Sequence, residues 1–166
     1  MSARNNATII YAALVTISLA WIGLIFAAPW LAAERHLFAS TFLYRGLSAV
    51  CHQIPERSFN FSGFPLGVCS RCTGIYAGFV VGLGLHPFAR DLREERFPAR
   101  WILIVSAFPM AIDFAGGLLG LFTNTFLSRA LTGMLFGAVA AFYVQPGLVS
   151  TLNEWRAGFA GSKANC

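Results

Sequence analysis

The sequence predicts an all-α protein that folds as a four-helix transmembrane bundle. Hydrophobic residues make up 57% of the chain and charged residues only 11%, a composition typical of membrane proteins. Its long stretches are uniformly apolar rather than alternating with a period of two residues. Because backbone groups must be satisfied inside lipid, such stretches favour helices over a β-barrel. Residues 1–166 have room for a single integral membrane domain.

The first predicted span covers about residues 9–30. No charged residue lies between Ala7 and Ala33, and at ~1.5 Å per residue this stretch can cross a hydrocarbon core of ~30 Å. A cleaved signal peptide is the alternative, but its apolar region usually has only ~7–15 residues. The other spans are predicted at about residues 72–88, 101–122 and 130–146, and a continuation of the last helix past Pro146 is the alternative for its end.

The loop between the first two spans, about residues 31–68, is too long to be a simple turn. Its first half predicts a short amphipathic helix at the membrane interface, with apolar residues at helical spacing: Leu37, Phe38, Phe42, Leu43, Leu47 and Val50. Its second half contains residues that break regular structure: Pro55, Gly63, Pro65 and Gly67. We therefore expect a structured, folded-back loop that carries Cys and His residues towards the second span.

The distribution of basic residues predicts the orientation of the bundle. One side carries Arg4, Arg90, Arg93, Arg96, Arg100, Arg156 and Lys163, and the other carries Arg35, Arg45, Arg57 and Arg129. The bias places both termini in the cytoplasm and the Cys/His loop on the extracytoplasmic side of the cell membrane. The net charge of +5 is spread over several loops, so membrane lipids rather than nucleic acid are the expected partner.

Four soft donor groups predict a metal site at one membrane face. Cys69 and Cys72 form a Cys-x-x-Cys half-site, and Cys51 with His52 can complete a tetrahedron if the backbone there leaves the helix. Ile54 precedes a proline, which pushes it towards extended geometry and makes this possible. Zinc is the first choice of ion, and iron and copper also suit these donors.

A redox function is the main alternative use of the same thiols. A Cys-x-x-Cys at a helix start favours a thiolate, helped by Arg71, and Cys51 could exchange with it through a mixed disulfide. The architecture resembles that of membrane enzymes that generate disulfides and of vitamin K epoxide reductases, which implies a quinone. Those enzymes use two cysteine pairs, whereas this loop offers three thiols and Cys166 is predicted on the opposite side. Haem also stays open, through His36, His52 and His86.

The lone acid within a predicted span, Asp113, needs a partner or a role. A charged group at that depth costs ~2.5–3.5 kcal/mol, and Arg71 or Arg129 could pair with it. The alternatives are a structural ion pair and a proton-handling or substrate role, so the candidate catalytic residues are Asp113, Arg71 and Arg129.

The third class of function is a lipid-binding or anion-binding subunit, in which Arg57, Arg71 and Arg129 bind a headgroup or phosphate. Asn124 is interpreted as a cap of the fourth helix or of the preceding turn.

Small residues predict where the helices touch. Glycines repeat every four residues on the second and fourth spans, at Gly74, Gly78, Gly82, Gly133 and Gly137. This spacing lets helix backbones approach closely, so these two helices should pack together, and a substrate groove is the alternative. Such faces also make a homo-oligomer or a membrane protein partner possible.

Two blocks of the sequence resemble the signature of an uncharacterised prokaryotic family of small predicted membrane proteins, a domain of unknown function. The first block comprises Cys51–Phe59 and Cys69–Gly78, and the second comprises Pro109–Asp113 with Asn124, Arg129, Thr132 and Gly133. The resemblance covers about residues 50–137. It implies a helical membrane protein without an established activity, and it implies that Asp113, Asn124 and Arg129 act with the cysteines. Asn124 thereby joins the three arginines as a candidate cofactor-binding residue.

The expected function is therefore that of an integral membrane protein whose Cys/His zinc site organises a loop beside an Arg/Asp cluster. The thiol-disulfide or quinone-linked oxidoreductase and the headgroup-binding or anion-binding subunit stay as alternatives. Whether the protein is an enzyme is left open by the sequence.

Overall fold

The described part of the chain folds into five α-helices, four of which are long and apolar enough to cross a membrane. The computed structural model describes residues 3–164, and their side chains from residue 6 to residue 155. The helices are α1 (Ala3–Ala33), α2 (Leu37–Ser48), α3 (Ser70–Ala89), α4 (Arg100–Leu118) and α5 (Phe126–Ala164). The predicted all-α fold with four transmembrane helices is confirmed. The side chains of Arg4, Arg156 and Lys163 and the whole of Cys166 lie outside the described residues, and so do the predictions made for them.

The core of the bundle is the pair α3 and α5, whose backbones are in direct contact. Three glycines of α3 lie against the backbone of α5, in the pairs Gly74 with Ala130, Gly78 with Met134 and Gly82 with Ala138. A Cβ atom at any of these glycines would collide with the facing backbone. The glycine spacing thus correctly predicts which two spans touch.

The last helix is longer than its predicted span. It continues beyond Pro146 to Ala164, because a proline removes one backbone hydrogen bond but does not end a helix whose other turns are supported. Polar contacts tie this region to the loop between α3 and α4. The Tyr143 hydroxyl donates to the Ala99 carbonyl at 2.9 Å, and Gln145 Nε2 donates to the Leu92 carbonyl at 3.0 Å.

The first helix packs on the side of this pair and carries α2 at one end. The Tyr11 hydroxyl of α1 donates to the Leu83 carbonyl of α3 at 3.0 Å, and the Ser40 hydroxyl of α2 donates to the Ala28 carbonyl at 2.9 Å. One side of α2 is buried through Leu47, whereas Phe38 is 90% exposed. The amphipathic helix predicted in the first loop is present.

After α2 the chain folds back towards the start of α3. A short 3₁₀ turn at Pro55–Arg57 leads into a two-stranded antiparallel hairpin, β1 (Asn60–Phe61) and β2 (Phe64–Pro65). Both turn residues, Ser62 and Gly63, have positive φ angles, as tight hairpin turns require. The loop between α2 and α3 therefore brings the start of α3 back beside the end of α2.

Candidate metal centre

Three thiol groups lie together where α3 begins. The Sγ atoms of Cys51, Cys69 and Cys72 are all within 4.8 Å of one another, and all three cysteines are free thiols. A tetrahedral zinc ion with Zn–S bonds of ~2.3 Å needs sulfur atoms about 3.8 Å apart. The three sulfurs therefore need only a small contraction to hold one ion.

The local structure explains how each thiol reaches this point. Cys69 is the extended residue directly before α3, and Cys72 lies in the first turn of that helix. Cys51 follows α2 and is buried against Ile25 and Leu66. The backbone N–H of Cys69 donates to Cys51 Sγ at 3.2 Å, which links the two segments directly.

Gln53 holds the two segments of the loop in place, a role that the sequence analysis did not assign. Its side-chain Nε2 donates to the carbonyl oxygens of Tyr44, at 2.8 Å, and Gly67, at 2.7 Å. Its backbone has a φ of 49°, which is uncommon for a non-glycine residue. The sequence signal that could have indicated this role is the position of Gln53, directly after Cys51-His52 and before Ile54-Pro55. The amide thereby fixes the separation between Cys51 and Cys69.

The fourth predicted ligand is not part of the sulfur group. His52 is exposed, although it lines the cavity beside the cysteines. The structure thus brings together three of the four residues that the sequence predicts as ligands.

The environment of Cys69 favours its thiolate form. Hydrogen bonding from the Cys72 thiol is the main cause, and it lowers the pKa of Cys69 to about 5 against the opposing effect of burial. Hydrogen bonds from the Cys72 backbone, the Cys51 thiol and the Arg71 backbone act in the same direction. Because metals bind the thiolate and not the thiol, such an environment suits a metal ligand.

Asp113 has a defined partner in Arg71. The Arg71 guanidinium forms an ion pair with the Asp113 carboxylate, which also accepts a hydrogen bond from the Ser128 hydroxyl at 2.8 Å. The Arg71 guanidinium also lies over the Phe114 ring, 5.6 Å from its centroid. Of the two partners considered for Asp113, the structure places Arg71 in that position. The first turns of α3 and α5 are thereby connected to α4.

Of the two interpretations of Asn124, the cap of the fourth helix is wrong. Its side-chain amide donates to the backbone carbonyl of Asp113, so it joins the segment before α5 to α4. The cap of α5 is Thr125, whose hydroxyl accepts from the Ser128 backbone N–H at 3.0 Å while Ser128 Oγ accepts from the Thr125 N–H at 3.2 Å. This reciprocal pair satisfies the helix start, which frees Asn124 for its contact with α4.

A cavity of about 440 Å³ opens beside the three sulfurs. It is lined by every predicted ligand and cofactor-binding residue: Cys51, His52, Cys69, Cys72, Arg57, Arg71, Asn124 and Arg129. Among the residues whose side chains are described, the arginines Arg57 and Arg129 have no carboxylate within ion-pair distance. The cavity therefore combines soft metal ligands with unpaired positive charge.

Comparison with known proteins places this arrangement in a family. The family model described as "Predicted membrane protein (DUF2085)" matches residues 51–143, which include the three sulfurs and the Arg71–Asp113 pair. An uncharacterized protein of Methanocaldococcus jannaschii is 39% identical over 127 residues, covering 74% of this chain and 81% of that protein. One from Methanothermobacter thermautotrophicus is 36% identical over 90 residues, covering 53% and 78% respectively. No solved structure matches the chain. The chain belongs to this family of predicted membrane proteins.

Proposed function

We propose that this integral membrane protein holds a zinc ion at one membrane face through the sulfurs of Cys51, Cys69 and Cys72. The observation that carries the proposal is that these three Sγ atoms lie within 4.8 Å of one another. Cys51 reaches this point from another segment, 18 residues before Cys69 in the sequence. Thiolates are the preferred ligands of zinc, and iron and copper are the other ions that suit them.

The proposed site is open rather than fully coordinated by protein. Structural zinc sites have four protein ligands, whereas sites with three keep a position for water or another ligand. Here the side chains of the described residues supply three sulfurs, and the cavity lies beside them. The metal thus organises the loop and also offers a binding position within the cavity.

The neighbouring charged residues have supporting roles in this proposal. Asp113 is held by Arg71 and Ser128, so it positions the Arg71 guanidinium beside the metal rather than acting as a free proton acceptor. Arg57 and Arg129 are available for a ligand in the cavity. Asn124 is bonded to α4 through the Asp113 carbonyl, next to the part of α4 that forms one wall of the cavity.

We further propose that the site faces the extracytoplasmic side. Arg90, Arg93, Arg96 and Arg100 belong to the α3–α4 loop or its border, at the opposite end of α3 from the cysteines. Basic loops of this kind favour the cytoplasm, and the exposed aromatic side of α2 suits contact with membrane lipid.

A thiol-disulfide function is the second candidate, favoured by the hydrogen-bonded pair Cys69 and Cys72. The lowered pKa of Cys69 makes it a nucleophile, as in enzymes that exchange disulfides. In that function, the two thiols would lose two electrons and two protons to an acceptor such as a quinone and form one disulfide bond.

The deciding experiment is elemental analysis with a free-thiol count on the full chain purified in an uncharged detergent. We expect about one zinc per chain in the parent protein and in Cys166→Ser, and its loss in Cys69→Ser and Cys72→Ser. Absence of metal after zinc reconstitution, together with a reducible bond between two of the three clustered cysteines, would overturn the metal proposal in favour of the redox function.

A further inference from the structure

We propose that the cavity beside the cysteines binds a phosphate-class anion, one oxygen of which takes the open position of the metal. This inference rests on the proposed metal site and names the ligand that the site receives. Its basis is that one cavity of about 440 Å³ is lined both by the three cysteines and by Arg57, Arg71 and Arg129.

The arginines of the cavity carry more positive charge than the surrounding protein neutralises. Arg71 is paired with Asp113, whereas Arg57 and Arg129 have no carboxylate within ion-pair distance among the described side chains. The positive charges of Arg57 and Arg71 act unfavourably on that of Arg129, and the negative charges of Asp113 and Cys69 offset part of this effect. Like charges in one partly desolvated cavity are unfavourable, and a bound anion would convert this repulsion into attraction.

The donors of the cavity are also incompletely used. Arg71 Nε is buried and has no hydrogen-bond partner, although the other end of its guanidinium is paired with Asp113. Arginine presents a planar fork of N–H donors that matches the oxygens of phosphate groups. A bound oxyanion would engage the guanidinium groups of Arg57 and Arg129. Arg71 Nε has almost no accessible surface, so it would join them only if the side chain turned towards the cavity.

The balance of charge with zinc present favours an anion over a neutral ligand. The three arginines bring three positive charges. Asp113 contributes one negative charge, and a zinc ion together with its three thiolates contributes another. The cavity therefore keeps one positive charge until an anion binds. A tetrahedral oxyanion has enough oxygens for several guanidinium groups and the metal together, whereas a carboxylate has only two.

The cavity can accommodate the phosphate group either of a free ion or of a lipid. A free phosphate ion would fill only part of the cavity, and a lipid phosphomonoester would also use the apolar wall formed by Phe114 and Leu118. Both of these side chains are more than half exposed, so the wall is open to the surrounding membrane. The phosphate group is common to both sources, and the experiment separates them.

The test uses the full chain loaded with cobalt(II), which accepts the same ligands as zinc and reports a new ligand through its visible absorption. Inorganic phosphate is titrated into protein in an uncharged detergent, and separately the protein is placed in nanodiscs of phosphatidylcholine with or without phosphatidic acid. Total phosphate binding is measured in parallel by equilibrium dialysis, with and without metal. The variants are Arg129→Gln and Arg57→Gln, and the control is Arg45→Gln, an exposed arginine outside the cavity.

We expect a saturable change in the cobalt absorption, with apparent Kd values raised about tenfold or more in Arg129→Gln and Arg57→Gln but within about twofold in Arg45→Gln. A response to inorganic phosphate supports a free anion, and a response only to phosphatidic acid supports a lipid headgroup. A metal-loaded protein that responds to neither probe, or equally in the control variant, overturns the inference and leaves the metal site standing. A protein that does not take up metal overturns the proposed function and, with it, coordination of the anion by metal. In that case the dialysis without metal shows whether the arginines alone bind phosphate.

Discussion

Arg71 and Asp113 form an ion pair between α3 and α4, one residue away from the metal-ligand candidate Cys72. The buried carboxylate is also bonded to Ser128 of α5, so three helices meet at one acidic side chain. This junction lies directly beside the cavity that contains the cysteines. The stability of the helix bundle and the geometry of the candidate site therefore depend on the same contact.

Replacement of Asp113 by asparagine should destabilise the protein. The change leaves the Arg71 guanidinium without its counter-charge, and since its side chain is 20% exposed, we expect a loss of about 1–3 kcal/mol. This corresponds to a lowering of the thermal midpoint by about 2–12 °C. Circular dichroism of the full chain in detergent measures the shift.

Asp91→Asn is the matched control, because Asp91 is an exposed residue of the α3–α4 loop. The double variant Arg71→Gln, Asp113→Asn should lose less stability than the two single variants added together, since the unpaired charge is then absent. Equal midpoints for Asp113→Asn and the parent protein would contradict this role of the ion pair.

Two glycines of α3 provide a sharp test of the close approach to α5. A Cβ at Gly78 would collide with the backbone of Met134, whereas a Cβ at Gly84 would meet no atom within 4 Å. Gly78→Ala should therefore lower stability by about 1–3 kcal/mol through overpacking. Gly84→Ala should leave it unchanged or raise it by up to about 1 kcal/mol, because alanine is the better helix former.

Thermal unfolding in the same detergent compares the two alanine variants directly. The intrinsic preference for alanine is the same at both positions, so the difference between them isolates the contact with α5. A Gly78→Ala protein as stable as Gly84→Ala would show that the helices separate without cost.

The helices could be predicted from the sequence because hydropathy and length alone determine them. The sequence offered the continuation of α5 beyond Pro146 only as an alternative, since the local effect of a proline does not reveal whether the surrounding turns are supported. The contact of α3 with α5 was predictable because Gly74, Gly78 and Gly82 lie on one face of a helix and allow the close approach of another backbone.

The candidate site was only partly predictable. The spacing of Cys69 and Cys72 and the return of the loop brought in Cys51, but the position of His52 depends on a backbone in which Gln53 has a positive φ. Few sequence signals predict that conformation for a residue other than glycine. In the same way, Asn124 and Thr125 both suit a cap, and only the reciprocal bond to Ser128 selects Thr125.

The role of His52 can be measured against that of Cys51. Cys51 belongs to the sulfur group and His52 does not, so Cys51→Ser should weaken zinc binding by about tenfold or more, whereas His52→Ala should change it by less than about threefold. Competition with a chromophoric chelator measures both affinities. A large loss in His52→Ala would identify the imidazole as the fourth ligand and would contradict the open site.

The orientation of the bundle follows from which loop is accessible from outside the cell. Glu56 lies in the loop that carries the cysteines, and Asp91 lies in the opposite loop between α3 and α4; both are exposed. We expect a membrane-impermeant thiol reagent to label Glu56→Cys in intact cells and to label Asp91→Cys only after the membrane is permeabilised, because the arginines of the second loop favour the cytoplasm. The parent protein gives the background from its native thiols. The reverse labelling pattern would place the metal site in the cytoplasm, where a reducing environment would also count against a disulfide-based function.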